Sequence, residues 1–264
     1  MPDLVLEAKG LRKQYGDVVA VDGVDLAVPA GGSLAVVGES GSGKTTVARM
    51  LVGLTKPDAG EIRACGRDRS LPARSSRERR RRGQEVQIVF QDPYASLDPR
   101  YNAEDALDEV LRLHGSSSQS ERRERVAQLI DLVGLDERQG RARPSMLSGG
   151  QRQRIAIARA LAAEPQVVIL DESVAALDVS IQAQILNLLA DVREETGVSY
   201  ILISHDLAVV RQITDETIVM HCGEVVERGS TKTVLDHPRD AYTQLLCASV
   251  PRPGWKPARR SRAS

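Results

Sequence analysis

Two glycine-rich stretches and one pair of adjacent carboxylates hold most of the chemistry available to this 264-residue chain. The first stretch is Gly38-Glu39-Ser40-Gly41-Ser42-Gly43-Lys44-Thr45, followed by Thr46, between the aliphatic run SLAVV and an apolar segment through Leu51. Glycines there permit backbone conformations that aim successive N–H groups at phosphate oxygens, and a helix starting behind them adds its partial positive charge. Lys44 supplies a cation for the β and γ phosphates and Thr45 a hydroxyl for magnesium, which is the P-loop pattern in the strand-loop-helix setting it requires. The second feature is Val167–Leu170, an all-aliphatic run ending in Asp171-Glu172. It reads as a buried parallel strand that delivers two carboxylates at its C-terminal end. Asp171 suits a magnesium shell and Glu172 suits a general base that polarises water. An ordinary strand-end turn has the same composition, and the P-loop upstream is what favours the catalytic reading.

The second glycine-rich stretch, Leu147-Ser148-Gly149-Gly150-Gln151, opens a helical segment that runs to Ala163 ahead of Pro165. Ser148, Gly149 and Gly150 therefore sit where a helix presents unpaired N–H groups, a place that suits an anion. A Ser-Gly-Gly turn that only caps the helix fits these residues too, and spacing does not say which phosphate would be read.

These features need a scaffold, and the apolar pattern supplies one. Runs at Leu4–Leu6, Val24–Val28, Leu34–Val37, Val86–Phe90, Val167–Leu170, Tyr200–Ile203 and Ile218–Met220 read as short strands. Between them, Ser180–Thr196 carries Ile181, Ile185, Leu188, Leu189 and Val192 on one helical face before Gly197, and Glu121–Val133 follows a capping-box pair, Ser118 and Glu121. The order predicts an α/β core interrupted by a helical excursion from about Asp92 to Ala163. After Val250 the Pro-rich, basic PRPGWKPARRSRAS predicts an irregular tail.

Composition sets bounds on function. Formal net charge is +0, 41% of residues are hydrophobic and aromatics are only 3%, so the arginine run Arg77–Arg82 reads as a solvated face and no nucleic-acid partner is expected. No apolar run approaches the roughly 18 to 20 residues that span a bilayer and no secretory signal opens the chain, so a cytoplasmic location is expected. Cys65, Cys222 and Cys247 are too few and too scattered for a disulfide framework or a metal site.

The P-loop, LSGGQ and ILDE in this order resemble an ABC-type ATPase subunit, over nearly the whole chain. The resemblance implies an α/β fold: a P-loop NTPase core of ABC type with an N-terminal antiparallel β subdomain, an inserted helical subdomain at about 92–163, and a short C-terminal extension, the ATPase domain spanning 1–235 and the extension 236–264. It further implies that Tyr15 stacks on adenine, that Gln91 after VQIVF is the Q-loop glutamine and a magnesium ligand with Thr45 and Asp171 (the last through water), that His205 after YILIS is the switch histidine, and that Asp178 in AALD belongs to the D-loop. Taken singly, Tyr15 could cover a surface, Gln91 bond within a loop, His205 end a strand, and Asp178 cap the helix near Ser180. In the family, two subunits pair head to tail, so Ser148, Gly149, Gly150 and Gln151 would read ATP held by the other subunit's P-loop. ATP and Mg2+ are the cofactors implied.

Further stretches narrow the resemblance. FQDPYASLDPR, Phe90–Arg100, and HPRDAYTQLL, His237–Leu246, are similar to segments of peptide and nickel importer ATPases. They imply a subunit at the cytoplasmic face of the membrane, bound to transmembrane permease subunits and to a second ABC ATPase, identical or not, with an extracytoplasmic solute-binding protein acting indirectly. Tyr94 and Leu97 are expected at the surface that receives a coupling helix, with core packing as the alternative. Import of peptides or peptide-like solutes is the leading expectation, nickel or metallophore import the alternative, and a non-transport ABC ATPase a distant third, since that class needs tandem cassettes or a large insertion. The chain departs from the family at Ser173, Ala176 and Ala241, none of which supplies a phosphate, magnesium or water ligand. With only Cys247 near the C-terminus, no iron-sulfur cluster is expected.

Overall fold

The computed structural model describes residues 3–92, 97–114, 118–173 and 178–249. Two sheets organise the chain. β1 (Leu4–Tyr15), β2 (Val18–Pro29), β4 (Ala59–Ala64) and β5 (Arg67–Asp68) form an antiparallel sheet in the order β2-β1-β4-β5. The central sheet runs β10-β9-β3-β8-β7-β6, from β3 (Ser33–Val37), β6 (Val86–Val89), β7 (Val167–Asp171), β8 (Ser199–Ser204), β9 (Glu216–His221) and β10 (Glu224–Ser230). It is parallel except for β10, which returns antiparallel along β9.

The inner strands β3, β7 and β8 are buried at every position, which is why their sequences are unbroken and not alternating. Period-two geometry then divides their side chains between two cores. Val167 and Ile169 join Val36, Ile201 and Ile203 beneath the antiparallel sheet and helix α1 (Lys44–Leu51). Val168 and Leu170 join Val37 and Leu202 on the opposite face, against helices.

Those helices include the excursion between β6 and β7: α3 (Ala103–His114), α4 (Gln119–Leu132), the single turn α5 (Glu137–Gly140) and α6 (Gly149–Leu161). α7 (Val179–Thr196), α8 (Leu207–Ile213), α9 (Thr231–Asp236) and α10 (Ala241–Ala248) follow. The capping box of Ser118 and Glu121 forms at the start of α4. The arginine-rich helix α2 (Ser76–Glu85) buries none of its residues, in line with a solvated face.

The seven strands expected from periodicity are present. β4 and β10 had too weak a signal: AGEIRA has one β-branched residue and is held by pairing with β1, while EVVERGS is held by its hairpin with β9. That hairpin turns at Cys222-Gly223, both at positive φ, 48° and 88°, as a tight two-residue turn requires. No helix among the described residues is long and apolar enough to cross a membrane.

Candidate functional site

β3 enters the site from the middle of the central sheet, with Val37 level with Ser204 of β8 and Val219 of β9. The glycine-rich loop follows and ends at Gly43, the N-cap of α1 at φ 102°. A Cβ at Gly43 would collide with the carbonyl of Ala20 in β2, so only glycine lets the loop approach the antiparallel sheet this closely. Glu39, Ser40 and Gly41 form an exposed crest, Thr46 is half-buried, and Gly38, Ser42 and Lys44 lie buried beneath. The Lys44 ammonium donates to the carbonyls of Gly38 at 2.8 Å and Glu39 at 2.7 Å and to the Ser42 hydroxyl at 3.4 Å. Burial pushes its pKa down, while the carboxylates of Glu172, Asp171 and Glu39 pull it up.

Parallel pairing brings the carboxylates to this loop. Asp171 ends β7 level with Ile203, and the Thr45 hydroxyl donates to Asp171 Oδ1 at 3.3 Å. Burial raises the Asp171 pKa, the Thr45 hydrogen bond lowers it, and the charge of Glu172 raises it further. A hydroxyl and a buried carboxylate, all oxygen, fit a hard divalent cation. Glu172 follows at φ 48°, uncommon for a side chain of its kind, and its N–H donates to Ile203 O at 2.9 Å. A conformation of this sort costs of order 1 kcal/mol and turns the side chain across the sheet edge. There its Oε1 faces His205 Nδ1 at 3.6 Å, with the imidazole 58% exposed just past β8.

The remaining expected residues fall at three places. Val89 of β6 is level with Leu170, so Gln91 leaves the sheet at the same edge as Asp171 and Glu172, exposed. Tyr15 ends β1 opposite Val18, close in the chain to the Ala20 carbonyl that meets Gly43. It is 48% exposed, with the Lys13 ammonium 5.4 Å from its ring centroid. Asp178 is the N-cap of α7 but makes no side-chain capping bond, which removes its capping alternative and leaves the carboxylate exposed.

Ser148 caps α6 in a reciprocal box: its hydroxyl accepts from Gln151 N–H at 3.2 Å and its own N–H donates to Gln151 Oε1 at 2.8 Å. That leaves the first-turn N–H groups of Gly149 and Gly150 without a helical acceptor. Gly150 packs against Ile181 of α7. α6 belongs to the core on one face of the central sheet and α1 to the core on the other, so the two glycine-rich loops are parts of different packing units.

Two contributors escaped the sequence reading. Buried Arg152 donates to the carbonyls of Leu147, at 2.6 Å, and Pro144, at 2.8 Å, and so braces the LSGGQ turn. Tyr242, 203 residues from Glu39, accepts that residue's N–H. Leu97 is buried in the core, so it takes the packing alternative, whereas Tyr94 and Ala176 lie outside the described residues. Ser173 is buried. Ala241 sits at the first position of α10, where Asp240 caps the helix and a proline is dispensable.

The family model for ABC transporters matches residues 21–175. The dipeptide transport ATP-binding protein DppF of Escherichia coli is 47% identical over 92% of this chain and 72% of its own length. The oligopeptide transport ATP-binding protein OppD of Mycobacterium tuberculosis is 46% identical over 96% of this chain, which spans 41% of that relative's length. Among solved structures, the dimeric post-hydrolysis state of the ATP-binding cassette MJ0796 with ADP and Pi matches at TM-score 0.76 and 30% identity, covering 86% of this chain and 98% of that one. By its motifs, its fold and these likenesses, the chain belongs to the ABC transporter family.

Proposed function

We propose that the chain is the ATP-hydrolysing subunit of an importer of peptides or peptide-like solutes, working at the cytoplasmic face of the membrane with separate permease subunits. One observation carries the hydrolytic part: the phosphate loop, the Thr45–Asp171 pair at 3.3 Å and the Glu172–His205 pair at 3.6 Å converge at one edge of the parallel sheet. Gly38–Thr46 and the N-terminus of α1 cradle the phosphates, and Lys44 neutralises them. Tyr15 stacks on the adenine. Thr45, Gln91 and Asp171 would hold magnesium, which supplies charge neutralisation on the phosphate oxygens. Glu172 accepts the proton of the attacking water, and His205 steadies its carboxylate.

A second cassette completes the site in this reading. Ser148, Gly149, Gly150 and Gln151 face the nucleotide of the partner, with Asp178 beside the seam, so ATP joins the subunits and hydrolysis releases them. Support comes from the separation of α6 and α1 into two cores and from Met146 and Val179, 80% and 82% exposed, flanking Ser148 and Asp178 with apolar surface. The dimeric MJ0796 cassette supports it as well.

The peptide cargo rests on the likeness to oligopeptide and dipeptide transport ATP-binding proteins. In this reading an extracytoplasmic solute-binding protein and the permease select the solute, and the chain does not touch it. The test is twofold. Purified chain should release phosphate from MgATP, and a strain lacking the gene should lose uptake of labelled di- to pentapeptides while keeping nickel uptake. Loss of nickel uptake alone would replace the peptide reading.

A further inference from the structure

The C-terminal stretch HPRDAYTQLL has no part in the chemistry above, yet the structure brings it onto the phosphate loop. α10 is fixed at its start: the Asp240 carboxylate accepts from the N–H groups of Tyr242, at 2.8 Å, and Thr243, at 3.3 Å, and the Glu227 carboxylate of β10 accepts from those of Arg239 and Asp240, both at 3.0 Å. Thr243 and Cys247 bury the inner face of the helix. Held this way, the Tyr242 ring lies against the His221 ring, centroids 4.0 Å apart, and its hydroxyl accepts from Glu39 N–H at 2.9 Å.

The loop is gripped at several points near this contact. Gly38 is pressed against the Met220 carbonyl, where a Cβ has no room, and Gly223 N–H donates to Ser42 O at 3.2 Å. Lys44 takes the carbonyls of Gly38 and Glu39. The Gly38-Glu39 peptide is therefore held from both sides, its oxygen by Lys44 and its N–H by Tyr242. Of these grips, Tyr242 is the one supplied by the C-terminal segment, and it closes on the exposed crest at the Glu39 N–H.

We propose that Tyr242 is a positioning residue for the phosphate loop: its hydroxyl orients the Gly38-Glu39 peptide beneath the nucleotide, so that the docked C-terminal segment sets the affinity for ATP. The proposal rests on the ATP reading above. Loss of the hydroxyl leaves α10 and the ring stack in place and frees one peptide of the crest. The loop then spends part of its time in conformations that no longer aim its N–H groups at phosphate. One net hydrogen bond lost from the binding-competent loop corresponds to roughly a 3- to 10-fold weaker affinity.

The experiment compares the full chain with Tyr242→Phe, Tyr242→Ala and, as a control on the outer face of the same helix, Leu245→Ala. ATP dissociation constants come from a fluorescent ATP analogue displaced by ATP, together with KM, kcat and melting temperature. The expected result is a Kd and KM raised roughly 3- to 10-fold in Tyr242→Phe, with kcat within about two-fold and an unchanged melting temperature, a larger loss in Tyr242→Ala, and no change in Leu245→Ala. A Tyr242→Phe protein with the wild-type Kd and KM overturns the proposal and leaves the ATP reading standing. A loss that tracks a fall in melting temperature overturns it in favour of a packing role. Wild-type protein that fails to bind ATP overturns both.

Discussion

Glu172→Gln separates nucleotide binding from hydrolysis and tests the site most directly. Gln keeps the shape of the side chain and the backbone hydrogen bond to Ile203, but it cannot accept a proton. The groups proposed to bind ATP are elsewhere: the loop Gly38–Thr46 with its Lys44, and Tyr15. Removing the Glu172 charge takes away one of three carboxylates that support the Lys44 ammonium, and Asp171 and Glu39 remain. ATP affinity at pH 7 should therefore change by less than about three-fold, a small shift beside the catalytic effect. A general base contributes roughly 10² to 10⁴ in rate, which at 1.36 kcal/mol per decade is about 2.7–5.4 kcal/mol of barrier. The assay is phosphate release under saturating MgATP, run beside light scattering of the same sample. The variant should hydrolyse at least about a hundred-fold more slowly and accumulate as an ATP-bound dimer. A variant within a few-fold of wild-type turnover would remove Glu172 from the role of base. One that stays monomeric with ATP bound would refute the ATP-closed pair.

Two further substitutions probe the buried polar groups. Asp171 has its pKa raised above the ordinary 3.8 by burial, so its ionised form costs stability above the folded-state pKa, and that cost disappears as pH falls through that value toward 3.8. Asp171→Asn should therefore melt higher than wild type at pH 7 in chelator, with the gain shrinking in acid, and should lose the stabilisation that MgATP gives the wild type; a lower melting temperature at pH 7 would contradict the burial argument. The Tyr200 hydroxyl is buried without a hydrogen-bond partner among the described residues. Tyr200→Phe should stabilise by about 1–3 kcal/mol, seen as a melting temperature higher by several degrees with unchanged ATPase activity, and a fall would show that the hydroxyl is satisfied.

Much of the site was legible in the sequence because its residues come in short local patterns. A glycine-rich loop between an aliphatic strand and a helix, or a carboxylate pair ending a buried strand, is nearly complete within ten residues, and the apolar periodicity located the strands that carry both. The sequence left Ser148 open between capping a helix and reading a phosphate, and the fold forms the cap through Gln151. It could not decide whether Asp178 was one too; the fold leaves its carboxylate free of that duty. β4 and β10 were illegible because their pairing comes from partners distant in the chain or across a tight turn.

What the sequence determined by itself was therefore the inventory: a glycine-rich loop of P-loop pattern, a carboxylate pair ending a strand, a histidine and a second glycine-rich helix start, in an order that resembles one family. The tertiary structure decided which of them meet. Register across β6, β7 and β8 sets Gln91, Asp171, Glu172 and His205 on one edge, and the two faces of the central sheet send α1 and α6 into separate cores. It also placed Leu97 inside and brought Tyr242 to Glu39 across 203 residues. Local patterns are written in neighbouring residues, whereas these meetings depend on sheet register and helix docking, which only the folded chain fixes.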